Sequence, residues 1–163
     1  WLAPGTEGQI PRVNAGATAL AYVSPSVWTI IRKSADETVN NSVTLQDDDE
    51  LVTASLPANS KYFVMMRILM NSSAVADWKV GFSGPAAATF SWNAALDDDG
   101  TPRAIGDTDA YNGAGTTRHH HISGLLEIAG TAGAFTFRWA QNTAELSDTK
   151  VLTGSTMSLT RIS

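Results

Sequence analysis

Cysteine is absent from the 163 residues, which removes disulfides and thiolate metal centres and leaves the redox compartment open. Charge is scarce too. Asp, Glu, Lys and Arg make up only 17% of the chain, with Ala, Thr, Ser, Gly and Asn in their place, so the surface is polar without being strongly charged. The 11 Lys and Arg are scattered against 16 Asp and Glu, for a net charge of -5. Neutralising phosphates takes clustered cations, so the composition argues against a nucleic-acid partner. No apolar run approaches the roughly 20 residues that cross a bilayer as a helix, which predicts a soluble chain with no membrane partner. A convincing long helical pattern is also missing. The chain begins at Trp1 rather than Met, so its natural start is expected to lie outside it.

What remains is strand patterning, and it is cleanest in the C-terminal third, Ser123 to Ile162. Phe135, Phe137 and Trp139 alternate with Thr136 and Arg138, as in a half-buried strand. Leu126 and Ile128 alternate with Glu127 before it, and Gly130-Thr131-Ala132-Gly133 lies between the two runs. This spacing predicts a β-hairpin. Met157 and Leu159 alternate with Ser158 and Thr160, predicting a final strand.

Upstream, Val27 to Lys33 reads as a strand with both faces covered. Val39 to Leu45 and Leu51 to Leu56 read as two strands joined by an acidic turn, Gln46 to Glu50. Asp77 to Ser83 and Thr89 to Asn93 add two more. Ala95 to Thr117, containing Asp97-Asp98-Asp99-Gly100 and three glycines, is expected to be the longest irregular loop. Eight to ten short strands with turn signals every 8 to 12 residues predict an all-β antiparallel sandwich, jelly-roll-like, over 27–163. A chain of this length buries roughly 70% of its extended surface without a metal or a disulfide.

Residues 1–26 are broken by Pro4, Pro11 and Pro25 and by three glycines, and read as an extended N-terminal arm. Asn14 is placed to cap a short helical turn reaching Tyr22. The apolar residues Trp1, Leu2, Ile10 and Leu20 suit an arm that docks on a neighbouring subunit.

The run Lys61 to Met70 carries the argument for an oligomer. Tyr62, Val64, Met66, Ile68 and Met70 share one parity, and Phe63, Met65 and Leu69 the other. A strand apolar on both faces is buried on both, whereas a two-layer sandwich covers only one. Phe63, Met65 and Leu69 are therefore expected to meet a loop, the arm or another subunit.

Several groupings invite chemistry. In Arg118-His119-His120-His121, a strand would put His119 and His121 on one face and His120 on the other. Three such pairs around an axis would offer six imidazoles to a metal ion, but exposed or hydrogen-bonded imidazoles are the more ordinary outcome. Asp47 to Glu50 and Asp97 to Gly100 lack the alternate-residue spacing of a calcium loop, so they read as solvated turns. Gly81-Phe82-Ser83-Gly84 lacks the last glycine of a nucleophile elbow. Paired carboxylates for glycoside hydrolysis leave no linear signature. No catalytic residue, metal or cofactor is assigned, and the chain is expected not to be an enzyme. Trp28, Trp78, Trp92 and Trp139 sit on apolar strand faces and are expected in the core, and Trp1 is expected to anchor the arm.

The chain resembles virion structural proteins of tailed bacteriophages that carry a C-terminal jelly-roll-like β domain. The resemblance rests on Val39-Asn40-Asn41-Ser42 with Thr44 to Leu51, Asp77-Trp78-Lys79 to Ala86, Ile122 to Leu126, Gly130 to Gly133, Arg138 to Asn142, and Ser155 to Ile162. It implies a surface appendage of the virion, of the capsid decoration, head fibre or minor tail type. A homotrimer that docks on other virion proteins is the expected assembly. The alternative is a tail-fibre adhesin that binds a host receptor or surface glycan through the Ala95 to Thr117 loop.

Overall fold

The computed structural model describes residues 10–13, 20–23, 28–94 and 102–163. Thirteen strands and no helix occur among them. Strands β1 (Ile10–Val13) and β2 (Leu20–Val23) pair antiparallel, with Ile10 opposite Val23 and Val13 opposite Leu20. The helical turn expected to reach Tyr22 gives way there to a strand, in keeping with the aromatic and β-branched residues of Leu20–Val23. Trp1, Leu2 and Asn14 lie outside the described residues, as does Asp97 to Gly100.

The strands that follow are β3 (Trp28–Arg32), β4 (Glu37–Val39), β5 (Gln46–Val52), β6 (Ser60–Asn71), β7 (Trp78–Ser83), β8 (Thr89–Ala94), β9 (Thr108–Tyr111), β10 (Arg118–Ile128), β11 (Thr136–Ala140), β12 (Thr149–Val151) and β13 (Thr156–Arg161). They form two antiparallel sheets of seven and four strands, a β-sandwich. The larger runs β3-β13-β6-β10-β8, with β12 on the far end of β6 and β4 beside β12; the smaller runs β5-β11-β7-β9. Among the described residues from β3 onward, no two strands consecutive in sequence pair with each other.

That wiring corrects the expected C-terminal hairpin. β10 pairs with β6 and β8, while β11 pairs with β5 and β7. The glycine-containing link at 129–135 crosses between layers that stack about 10 Å apart. Both runs keep their predicted apolar faces, and those faces meet across the core rather than along one sheet.

The core is aromatic. Phe82 stands edge-on to Phe90 and Trp92 at 4.9 and 5.0 Å and stacks on Phe135 at 5.3 Å. Gly124 makes room for it: a Cβ there would lie 2.4 Å from the Ser91 carbonyl oxygen and 2.6 Å from the Phe90 ring. Trp78, Trp92 and Trp139 are buried as expected, but Trp28 is 44% exposed, because β3 lies at the edge and turns Trp28 and Ile30 outward. The expectation that both faces of Val27 to Lys33 are covered is thus corrected. Among the described part of Ala95 to Thr117, Thr108–Tyr111 forms an edge strand beside β7.

The acidic run expected as a turn is a strand, and the strands expected on either side of it, Val39 to Leu45 and Leu51 to Leu56, are irregular at 40–45 and 53–55. Gln46–Val52 pairs with β11, with a bulge between the Val52–Thr136 and Asp47–Arg138 pairs. Asp48 turns inward and its Oδ1 accepts from the backbone N–H groups of Glu50 and Leu51 at 3.0 and 2.8 Å. Those bonds satisfy amides that the bulge takes out of the ladder.

Candidate functional site

β6 alternates strictly. Tyr62, Val64, Met66, Ile68 and Met70 point into the core and are nearly or fully buried, whereas Phe63 is 39% and Met65 47% exposed. Leu69 is half-buried. Among the described residues, no element covers Phe63 and Met65.

Register assembles the uncovered side chains into rows across the outer face of the larger sheet. One row runs Trp28, Thr160, Phe63, Leu125, Ser91, and the next Ile30, Ser158, Met65, Ser123, Asn93. Trp28 meets Phe63 edge-on at 6.4 Å. Ile30 is the most exposed of the group at 67%, and Leu125 is 39% exposed. The five apolar side chains leave on the order of 500 Å² in contact with water, taking 150–250 Å² as the full area of each aromatic. That lies at the upper end of the largest apolar patch on an ordinary monomer.

The patch has charged ends. At one, Lys61 bonds Glu127 at 2.8 Å. At the other, Arg32, Thr156, Arg67 and His121 share a row, and Arg67 Nη2 lies 3.0 Å from His119 Nδ1. A shallow depression of about 280 Å³ is lined by Trp28, Ile30, Met65, Arg67 and His121. The outward pair His119 and His121 therefore adjoins the apolar face. Of the residues expected at an interface, Phe63, Met65 and Leu69 share this sheet face. Ile10 and Leu20 lie in β1 and β2, and Trp1 and Leu2 fall outside the described residues.

His120 points the other way. It is 2% exposed, with Trp78 and Tyr111 rings each 4.9 Å away, and neither ring nitrogen has a hydrogen-bond partner. Burial, helped by the charges of Arg118, His121 and His119, lowers its pKa from 6.5 to about 4. The strand reading placed His120 opposite its neighbours, but its aromatic enclosure comes from β7 and β9, which lie in the other sheet.

A second buried polar group joins the layers. Lys33, just past β3, is 1% exposed, and its Nζ donates to Glu37 Oε2 at 2.7 Å and Asp48 Oδ1 at 3.0 Å. Glu50 approaches Nζ at 3.9 Å and accepts from the Ser34 and Ala35 amides. Burial disfavours the ammonium, but the bonds to Glu37 and Asp48 outweigh it and hold its pKa above the ordinary value. Among the described residues, no group of three or more His, Asp or Glu is arranged to hold a metal ion. Gln141 is the other residue that strand patterning missed. Fully buried, it accepts from the Ser42 and Glu145 amides and donates to the Glu145 and Ser147 carbonyls, tying two loops together at one end of the sandwich.

No known protein family matches the chain, and no curated protein does. Among solved structures it is similar to a chain in the structure of infectious bursal disease virus, Gt strain. That similarity has 14% identity, a TM-score of 0.28, and covers 94% of this chain and 43% of that one. This chain thus spans less than half of that chain's length.

Proposed function

We propose that the protein is a virion structural protein of a tailed bacteriophage. In this reading it is a surface appendage, a capsid decoration or head fibre protein or a minor tail protein, and it works by binding rather than catalysis. The observation that carries the proposal is the uncovered apolar face of Trp28, Ile30, Phe63, Met65 and Leu125. Burying such a face at about 25 cal/mol per Å² favours association, and with its polar rim it approaches the roughly 800 Å² per partner of a stable interface. Its occupant is a second and third copy of this chain, in a homotrimer whose N-terminal arm, 1–26, attaches to other virion proteins.

Two further observations support the reading. The sequence resembles phage virion proteins across about Val27 to Ile162. With the edge strand β8 set aside, the sheet orders β3-β13-β6-β10 and β5-β11-β7-β9 follow the wiring expected of a jelly roll, a fold that builds many viral shells.

Light scattering of the purified chain tests the assembly: a mass of three chains is expected, and Met65→Glu should lower it to one without loss of fold. A wild-type monomer at high concentration contradicts the proposal. Deleting 1–26 should leave the trimer intact and abolish incorporation into particles; normal incorporation contradicts the role given to the arm.

A further inference from the structure

The buried Lys33 cluster holds an arrangement that an ion pair does not require. Asp48 is 2% exposed, and its two oxygens are unlike. Oδ1 accepts from Lys33 Nζ and from two backbone amides, while Oδ2 is buried with no partner. Two N–H groups on one oxygen of a carboxyl are what stabilises charge on that oxygen when a nucleophile adds to the carbon. Beside them stands the Lys33 ammonium in hydrogen-bond contact, shielded from water. We propose that Lys33 and Asp48 condense to a side-chain amide, an intramolecular isopeptide bond that joins the larger sheet to the smaller one.

The step balances within the cluster. Glu37 Oε2, 2.7 Å from Nζ and also bonded by the Asp49 amide, takes a proton from the ammonium and delivers it to Oδ2. The neutral amine then forms a bond to Asp48 Cγ, and Oδ1 carries the negative charge against the Glu50 and Leu51 amides. A second proton passes from nitrogen through Glu37 to Oδ2, the Cγ–Oδ2 bond breaks, and water leaves. Nothing is oxidised or reduced: an ammonium and a carboxylate become an amide and one water. Burial pushes the Glu37 carboxyl above its ordinary pKa, against the lowering effect of the Lys33 bond, which suits a group that must hold a proton in transit.

The product removes a liability. Two charges buried together cost desolvation that their attraction only partly returns, and the amide carries neither charge. In a chain without cysteine, it supplies the covalent tie between layers that a disulfide gives elsewhere.

Mass spectrometry of the denatured full chain tests this. The expected mass is below that of the sequence by one water, about 18 Da, with a linked peptide pair containing Lys33 and Asp48. Glu37→Gln, confirmed as folded by circular dichroism, should keep the full mass. A full wild-type mass, with Lys33 open to acylation after denaturation, overturns the proposal. So does a loss of one water that maps elsewhere, for example to a succinimide at Asp99-Gly100. Loss of water that persists in Glu37→Gln overturns the role given to Glu37.

Discussion

Replacing His120 by Phe should flatten the stability of the fold between pH 6.5 and pH 4. In the folded chain the imidazole is enclosed by Trp78 and Tyr111, and its pKa is pushed down to about 4, mainly by burial. The unfolded chain takes up the proton near 6.5, so above that pH both states are neutral and His120 makes no pH-dependent contribution. As pH falls through 6.5 the unfolded state binds a proton that the folded state refuses, and stability drops until pH reaches about 4. The gap between those values corresponds to about 3 kcal/mol. The groups facing His120 from other elements are Trp78 and Tyr111, and the Tyr111 hydroxyl donates to Asp109 Oδ2 at 2.8 Å. Denaturant unfolding of both proteins from pH 8 to pH 4 is the assay, and their difference removes titrations common to the two. Wild type should lose about 3 kcal/mol more than His120→Phe over that interval. Equal losses would refute the reasoning. The imidazole resonances of the wild-type protein give a second reading that needs no variant: one of them, from His120, should titrate near pH 4, and the absence of any midpoint there would be equally damaging.

Gln141→Leu should cost about 2–4 kcal/mol, because four backbone groups lose a buried partner, and chemical denaturation measures it. Gly124→Val should cost about 1–3 kcal/mol or shift the Phe90 ring, seen as a lower melting temperature with altered near-ultraviolet circular dichroism. Calcium and a chelator should give the same melting temperature, since the Asp47 to Glu50 run spends its inward carboxylate on Lys33.

Local patterning made most of the long apolar strands legible and their pairing illegible. Phe135, Phe137 and Trp139 are buried on one face as their spacing requires. The glycines at 130 and 133 looked like hairpin punctuation, but a link at 129–135 serves a crossover between layers equally well. Asp47 to Glu50 misled for a related reason: three consecutive aspartates have low strand propensity, and only the buried ammonium of Lys33, a residue 15 positions away, makes an inward Asp48 tolerable. Gln141 and His120 carry no sequence signal for burial, because their partners come from several separated loops and strands.

The site itself was half legible. An apolar residue at every position of Lys61 to Met70 except a few says that both faces of the strand prefer to leave water, but not what covers the second. The fold narrows the choice. Since each connection from β3 onward leads to a strand other than its sequence neighbour's partner, the links are spent at the ends of the sandwich, and Phe63, Met65 and Leu125 stay exposed among the described residues. Trp28 and Ile30, which strand patterning placed under cover, join them only because β13 brings the edge strand β3 into register with Phe63 and Met65. A patch gathered from three strands, β3, β6 and β10, is a surface that β pairing has organised, and under the proposed function its cover is another flat apolar face of the same kind. A second copy of the chain would offer one, as the homotrimer proposed above requires.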